Sequence, residues 1–409
     1  MTTVVPSVDL QLRRDVETDP FDALDEYRDR DPFWAESGDF TGGGFWVITK
    51  FEQCREILQD AIAFPTEVLG PTPLLPTMAG PPELQKLRSV VIKHLTRAKV
   101  LAMEASIRAH AREYIESFAE SGSCDLVSDF AQMYPIAVFC EVFGLAPEAR
   151  QEFRRLAEGF LHSYHEERDA HWAAIRTIVR NEIEDRRKHP RDDLLTGIAT
   201  GVIDDDLVDL ETGVNLASTV FLGGLDTLPS NLGWSFRYLA VHPEVRQRVI
   251  GNPAGVPVMV EEFLRLYSVV AKERRLVGRD LNFHGADMKK GDRLVALMSV
   301  ANRDEIEFPD SRAADFDRVV NRHMAFGAGP HRCLGSHLAR HELAMALTEW
   351  HNRIPDYRIA DPSGIRYNGG IFAVTTLPLE WEPSALQPRN SESRSDRIRE
   401  VPLHYLRTT

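Results

Sequence analysis

The sequence predicts a mainly α-helical protein of the α+β class, with a helix-rich body, small β-sheets and one long central helix. Apolar residues recur at helical spacing in several long segments, whereas the candidate strands are short. These strands lie near the two ends of the chain, with the helical segments between them. Regular alternation of strands and helices, which would predict a doubly wound sheet, is absent.

Four segments carry the helical pattern. In three of them apolar and charged residues alternate at a helical period. The fourth is long and largely apolar, as expected of a mostly buried central helix. The four segments are 97–118, 151–160, 172–187 and 213–241.

Four short runs carry the strand pattern. The first, GGGFWVITK, begins with glycines and continues with aromatic and β-branched residues, which favour strands. The candidate strands are 42–50, 281–284, 293–298 and 375–381.

The chain has 409 residues, enough to bury a core around a cofactor. No internal repeat divides it, so we expect a single domain over residues 1–387. The polar remainder, 388–409, is expected to be a loosely held tail.

Composition excludes several classes of protein. The net charge of -14 leaves no global basic footprint for nucleic acid. The four cysteines are far apart and form no CxxC pair, which argues against a zinc site and a disulfide-rich secreted fold. The N-terminus does not resemble a signal peptide, and no run of eighteen apolar residues predicts a membrane span. We therefore expect a cytoplasmic protein without membrane or nucleic-acid partners.

The stretch MAFGAGPHRCLGSHLAR, residues 324–340, places one cysteine between a glycine-rich loop and a predicted helix. Glycines let a backbone approach a flat ligand closely. A helix N-terminus favours a thiolate, which is the form that binds a soft metal. The alternative is a structural cysteine in a turn.

The spacing Phe326-x-x-Gly329-x-x-x-Cys333-x-Gly335 resembles the haem-binding loop of the haem-thiolate monooxygenases, the cytochrome P-450 family. The pair Glu262-x-x-Arg265, with Arg318 before the loop, is similar to a structural triad of that family. ANRDE and PPELQKLRSVV also fit, in the family's order, over roughly residues 20 to 385. FLGGLDT, LRLYSVVA and LPLEW most resemble the bacterial camphor-hydroxylase branch.

The resemblance implies the haem-thiolate fold and haem b as cofactor. Cys333 would be the axial iron ligand, a thiolate that favours splitting of the O–O bond. Around it the resemblance implies further haem contacts and haem-propionate partners, with His323 as an additional candidate. The haem contacts are Phe326, Gly327 and Gly335, and the propionate partners are Arg88, Arg274 and His331.

Two positions depart from the family's pattern. Leu84 stands where many members have a histidine, so one propionate partner is absent there. Lys272 stands where the camphor enzyme has an acid. Lys272 either replaces the lost charge or points into the pocket, and the sequence leaves both open.

The segment FLGGLDTLPSN, residues 221–231, contains many residues that are unfavourable inside an apolar helix. Two glycines cost about 1 kcal/mol each against alanine, and Pro229 interrupts the helical hydrogen bonds. Such a cluster indicates function. The resemblance implies that the Thr227 hydroxyl contacts bound dioxygen and the Gly223 carbonyl, and that Asp226 relays protons. The effect of Pro229 on the oxygen groove is left open.

The same resemblance supplies pocket residues by position. The predicted lining is Leu74, Thr219, Leu222, Gly223, Val270, Ile371 and Phe372, with Leu75 as the alternative to Leu74 in a covering loop over 64–77. Because these side chains are mostly apolar, we expect a small hydrophobic substrate such as a terpenoid or simple aromatic.

The resemblance also implies how electrons arrive. The chain shows no flavin or nicotinamide fingerprint, so electrons would come from a separate iron–sulfur ferredoxin and its reductase. A proximal basic patch would dock the ferredoxin, formed by Lys86, Lys93, Arg97, Arg332 and Arg340. The predicted function is hydroxylation or another oxidation with one atom of dioxygen. The alternatives are a peroxygenase or reductase, and a haem-based sensor, neither of which needs the Asp226–Thr227 pair.

Overall fold

The computed structural model describes residues 3–5, 19–30, 32–38, 43–67, 74–146, 148–162, 165–369 and 371–388. Residues 389–409 of the predicted tail lie outside this range. Within it, helices dominate and the sheets are small, which confirms the helix-rich α+β class.

The helices of the described residues include several close to the predicted segments. Segment 97–118 is divided at Met103, and 151–160 and 172–187 each lie within a longer helix. The helices are α1 Pro20–Leu24, α2 Phe51–Gln59, α3 Glu83–Ile92, α4 Arg97–Ala102, α5 Glu104–Phe118, α6 Met133–Phe143, α7 Ala149–His162, α8 His165–Lys188, α9 Leu194–Ala199, α10 Leu210–Leu225, α11 Thr227–Val241, α12 Pro243–Gly251, α13 Val256–Leu266, α14 Met298–Ala301 and α15 Ser336–Arg353.

The strands of the described residues are short, as predicted. They are β1 Thr3–Val5, β2 Phe33–Ala35, β3 Phe45–Ile48, β4 Ser123–Asp125, β5 Val202–Ile203, β6 Asp206–Leu207, β7 Glu273–Leu276, β8 Leu281–Phe283, β9 Ala286–Met288, β10 Arg293–Ala296, β11 Arg358–Ile359, β12 Arg366–Gly369, β13 Phe372–Thr376 and β14 Pro378–Glu380. The largest sheet has the order β1-β2-β3-β10-β7, and a second has the order β11-β14-β4. Strand β10 pairs in parallel with β3 and antiparallel with β7.

The long central helix predicted over 213–241 is two helices, α10 and α11, which meet at Asp226. Pro229 has no N–H to donate to the carbonyl of Leu225, so the helical hydrogen bonds are interrupted at this point. The next carbonyl, that of Asp226, accepts both the backbone N–H and the hydroxyl of Ser230, at 3.2 and 2.7 Å. The break therefore falls beside the two residues predicted to be catalytic.

Two apolar clusters form the core. The larger contains residues of most of the helices, and the smaller joins β3 and β10 of the large sheet to α2 and to the β8–β9 hairpin. Trp234 fixes α11 against β13, because its fully buried indole donates to the Phe372 carbonyl at 2.9 Å and stacks on Tyr267 and Tyr367. A cavity lies between the cysteine loop and the central helix.

Candidate active site

The loop before Cys333 is held in a conformation that needs glycine. Gly327 and Gly329 have φ angles of +68° and +65°, in the left-handed region. A Cβ at Gly329 would also lie 2.5 Å from the carbonyl oxygen of Leu58. The Cys333 N–H donates to the carbonyl of Phe326 at 2.9 Å and closes the loop just before α15.

Cys333 lies deep in the molecule but faces the cavity, so its side chain is accessible from that side. Burial raises the pKa of the thiol. The N–H of Gly335 and the charges of Arg88, Arg340 and Arg332 act in the opposite direction. The surroundings therefore combine low polarity with the donors that a metal-bound thiolate needs.

The cavity encloses ≈ 1640 Å³ that no protein atom occupies, counting its open mouth. Its floor is formed by Cys333 with Phe326, Gly327 and Gly335, and the opposite wall by Gly223 and Thr227. Leu84, which replaces the usual histidine, also lines the cavity and is fully buried. The residues predicted for iron binding and for dioxygen activation therefore face one space.

A cationic edge borders this cavity. Arg88 and His331 line it as predicted, and the Arg88 guanidinium donates to the carbonyl of Arg332 at 2.6 Å. The Nε2 atom of His331 is buried without a hydrogen-bond partner among the described residues. Burial, with the nearby charges of Arg275 and Arg88, lowers the pKa of His331 to about 4. An unsatisfied nitrogen beside two guanidinium groups fits an anionic group of a cofactor, such as a haem propionate.

The prediction of Arg274 was wrong by one residue. Successive residues of a strand point to opposite faces. In β7 the cavity is therefore lined by Glu273 and Arg275, not by Arg274. Arg275 is almost fully buried and donates to the Glu273 carboxylate at 3.0 Å.

Two other candidates for the propionate edge lie elsewhere. Neither Lys272 nor His323 is part of the cavity lining in the described structure. His323 instead contacts Glu261, behind the cysteine loop, at 3.0 Å.

The central helix presents a groove at its break. Thr227 donates its hydroxyl to the Gly223 carbonyl at 3.2 Å, as predicted. A Cβ at Gly223 would meet nothing within 4 Å, so this glycine leaves open space in the cavity. A Cβ at Gly224 would lie 2.7 Å from the ring of Phe139, so that glycine is required by packing instead. Asp226 lies at the break and outside the cavity lining.

Part of the predicted pocket is confirmed as cavity lining. Thr219, Gly223 and Val270 line it. Leu74 and Leu222 do not. The covering loop contributes Pro76 and Thr77 instead of Leu74 or its alternative Leu75. Leu222 falls outside the α10 face formed by positions 219, 220, 223 and 224.

Ile371 and Phe372 were also wrong as pocket residues. Phe372 is fully buried in the core, where its ring packs edge-on against Phe21. Ile371 packs against the outside of the same core. Sequence reasoning missed the apolar lining residues Pro135, Phe139, Val142, Leu194, Val269 and Met298, whose pattern is that of ordinary core residues.

Glu342 is a further cavity residue that the sequence pattern did not reveal. It belongs to α15, lines the cavity and is almost fully buried. Its Oε2 atom has no hydrogen-bond partner among the described residues, and burial raises the pKa of this carboxyl well above 4.5. Burial therefore favours the neutral, protonated form of Glu342 inside the cavity.

The predicted structural triad is assembled. The buried Glu262 carboxylate accepts from Arg265 at 2.6 and 2.9 Å and from Arg318 at 3.3 Å. Asn321 adds a bond to the same carboxylate at 2.9 Å. Arg265 also donates to the carbonyl of Ser311, so this network fixes the segment that leads into the cysteine loop.

The predicted basic patch is smaller than expected. Lys86 forms an ion pair with Asp204, and Arg340 binds Glu261. Two of its five cations are therefore engaged by acids of the chain itself. Among the described residues, no helix is both long and apolar enough to cross a membrane.

Comparison with known proteins decides the family. The family model described as Cytochrome P450 matches residues 256–350, which include Glu262 and Cys333. A probable cytochrome P450 127A1 of Sinorhizobium fredii is 31% identical over 89% of this chain and 90% of its own length.

The chain belongs to the cytochrome P450 family.

Other P450s confirm the fold. The steroid C26-monooxygenase of Mycobacterium tuberculosis is 31% identical over 76% of this chain and 87% of its own length. The mycinamicin IV hydroxylase/epoxidase of Micromonospora griseorubida is 28% identical over 82% of this chain and 89% of its own. The crystal structure of CYP101J2 matches with a TM-score of 0.83 and 28% identity, over 93% of this chain and 97% of that one.

These similarities confirm four predictions. CYP101J2 and a second similar structure, CYP101C1, lie in the predicted camphor-hydroxylase branch. The P450 fold, the haem cofactor and the monooxygenase class of the enzyme follow from the family. The orphaned nitrogen of His331 and the cysteine loop show that this chain's cavity fits that cofactor.

Proposed function

We propose that this P450 oxidises a small hydrophobic compound, such as a terpenoid or simple aromatic, at an unactivated C–H bond. The observation that carries the proposal is the position of Cys333, on a glycine loop that faces Thr227 and Gly223 across one cavity. Electrons come from a separate iron–sulfur ferredoxin and its reductase, in the cytoplasm.

Three groups of residues would hold the haem. The Cys333 sulfur would bind the iron, Phe326, Gly327 and Gly335 would contact the ring, and Arg88, Arg275 and His331 would meet the propionates. Bound in this way, haem supplies the activation of dioxygen. Gly327 and Gly329 allow the left-handed backbone that gives this loop its path, which residues with a Cβ rarely adopt.

Protons reach the cavity at the break between α10 and α11. The Thr227 hydroxyl donates to the Gly223 carbonyl at 3.2 Å, so its oxygen is left to accept or orient a proton at the groove. Asp226 holds the junction of α10 and α11 and passes protons from the outside of the helix. An acid–alcohol pair of this kind favours an oxygenase over a peroxygenase, a reductase or a sensor.

The part of the cavity that selects the substrate is walled by Val270, by the apolar residues of α6 and by Thr219 on α10. A mostly apolar wall with one hydroxyl suits a hydrophobic substrate with few polar groups. Titration of terpenoids and simple aromatics into the haem-loaded protein should produce a spin-state shift, whereas charged compounds of equal size should not.

The first test is the difference spectrum of the reduced, carbon monoxide-bound protein, recorded for the wild type and Cys333→Ser. We expect the Soret band diagnostic of thiolate ligation in the wild type and its loss in the variant. Cys124→Ser is the matched control, because this thiol lies in β4, outside the cavity lining. A haem-loaded wild type without the band would exclude Cys333 as ligand, and the proposed mechanism with it.

A further inference from the structure

A second ionic network lies behind the cysteine loop, beside the Glu262 triad but separate from it. Glu261 accepts two bonds from Arg340, at 2.7 and 3.0 Å, and one from His323 at 3.0 Å. Burial opposes ionisation of Glu261, but the bond from His323 and the charge of Arg340 outweigh it and lower the pKa to about 2. The carboxylate is thus ionised at every working pH.

The hydrogen bonds of His323 define its tautomer. Its Nδ1 accepts from the backbone N–H of Ala325 at 3.2 Å, so the ring proton resides on Nε2 and is donated to Glu261. Burial lowers the pKa of His323, which favours this neutral form. The network therefore contains one negative charge, on Glu261, and one positive charge, on Arg340.

The network contacts the cysteine loop through Phe326. The Arg340 guanidinium lies 4.4 Å from the centre of the Phe326 ring, and the His323 ring lies 6.1 Å from it. The Phe326 carbonyl in turn accepts the Cys333 N–H at 2.9 Å. Arg340 is also one of the cations whose field acts on the Cys333 sulfur.

We propose that Glu261, Arg340 and His323 are positioning residues that fix Phe326 and, through the balance of their two charges, set the reduction potential of the thiolate-bound haem. This rests on the proposed ligation by Cys333. Arg340, which the sequence suggested for the docking patch, thereby acts inside the protein. It is only 15% exposed and its charge is matched by Glu261.

The proposal predicts shifts of opposite sign for two single variants. Glu261→Gln leaves the Arg340 charge unbalanced near the haem, which favours the reduced, more negative state and raises the potential. Arg340→Gln leaves the Glu261 charge unbalanced and lowers the potential, because a charge in a low-dielectric interior acts strongly on its neighbours. The double variant should return close to the wild type.

The measurement is a spectroelectrochemical titration of each haem-loaded variant, with the thiolate Soret band of the reduced carbon monoxide complex as a check on ligation. Glu349→Gln is the matched control. Glu349 lies on α15, the helix that also carries Arg340, and its buried carboxylate pairs with Arg108 and Arg112. The substitution should reduce thermal stability and leave the potential unchanged. Arg340→Lys keeps the positive charge but loses the two-point contact with Glu261. Its reduction potential should stay near that of the wild type, whereas its thiolate band should be lost at a lower temperature than in the wild type.

The outcomes separate the two proposals. Potentials that move in the same direction in Glu261→Gln and Arg340→Gln, or do not move, with the thiolate band intact, overturn charge tuning and leave the Cys333 assignment standing. If Arg340→Gln binds no haem, the test rests on the other two variants. A raised reduction potential in Glu261→Gln together with an unchanged reduction potential in Arg340→Lys then supports the proposal, and any other pattern refutes it. Absence of the thiolate band in the wild type overturns both.

Discussion

Two ionisable residues of the cavity, Cys333 and Glu342, show how neighbouring groups oppose the effect of burial on a pKa without reversing it. Burial raises the pKa of Cys333, but Gly335 and three arginines oppose it. Burial also raises the pKa of Glu342, and no neighbouring charge compensates it. Burial therefore prevails at both residues, and it favours the neutral form of each.

The raised pKa of Glu342 makes stability depend on pH. The unfolded carboxyl ionises above its ordinary value of 4.5, whereas the folded one keeps its proton to higher pH, so this residue costs stability as pH rises. Glu342→Gln carries no such penalty. We expect the variant to unfold at a higher temperature than the wild type at pH 8, with an advantage that shrinks toward pH 5, measured on haem-loaded protein.

Glu349 provides the control, because it is an equally buried glutamate on α15 with charged partners. It pairs with Arg108 and, at 2.7 Å, with Arg112. Glu349→Gln should lower the free energy of unfolding by about 3–5 kcal/mol at pH 8, as expected when one partner of a buried pair is removed. If Glu342→Gln destabilises the protein in the same way, Glu342 is not the isolated neutral acid inferred here.

At the scale of elements, the break between α10 and α11 is stabilised by side chains that bond to backbone carbonyls. Ser230 donates to Asp226 at 2.7 Å, and Asn231 donates to Thr227 at 2.9 Å. Each bond runs from a side chain to the carbonyl four residues earlier, and such bonds bend helices. Pro229, in addition, cannot donate to the Leu225 carbonyl. The distortion places Asp226 and Thr227 at a junction instead of inside a regular helix.

The contact between α10 and α6 requires Gly224. In Gly224→Ala the new Cβ would meet the Phe139 ring, which is confined by Phe143 and Phe221 at 4.3 and 5.6 Å. We expect the free energy of unfolding, measured in urea, to fall by about 1–3 kcal/mol. In Gly223→Ala the Cβ enters open space, so stability should be kept or improved. Equal stability of the two variants would contradict this packing.

Asn215 attaches the described part of the covering loop to α10. The Asn215 Oδ1 atom accepts from the Leu75 N–H at 3.2 Å and from the Thr219 hydroxyl at 3.4 Å. Asn215→Ala removes the attachment, so a large apolar ligand should enter and leave the cavity faster.

Stopped-flow binding of 4-phenylimidazole, an apolar haem ligand, measures both rates. Thr219→Val is the control, because it removes the hydroxyl and leaves the bond between Asn215 and the loop. Unchanged rates in Asn215→Ala, or equal acceleration in both variants, would show that this bond does not hold the loop.

At the scale of the whole molecule, the cavity lies where the two apolar clusters of the core approach each other. Leu58 of the smaller cluster and Leu343 of the larger one both line it. The contacts that close it join distant parts of the chain: Arg88 bonds to Arg332, and Leu75 bonds to Asn215. Haem binding therefore depends on the complete fold and not on the cysteine loop alone.

The sequence by itself determined the features that depend on neighbours along the chain. The glycine loop before Cys333, the Thr227–Gly223 pair and the Glu262–Arg265 pair each lie within a few residues, so their spacing defines their geometry. The helix-rich class follows in the same way, because periodicity is a local property.

Only the tertiary structure decided which side chains face the cavity. Arg275 faces it instead of Arg274 because the pairing of β7 with β10 fixes the strand's orientation. Phe372 belongs to the core because Trp234, far along the chain, binds its carbonyl. Arg340 acts behind the cysteine loop because Glu261 lies within reach of it only in the folded chain. Such choices depend on packing between distant segments, which a short sequence pattern does not encode.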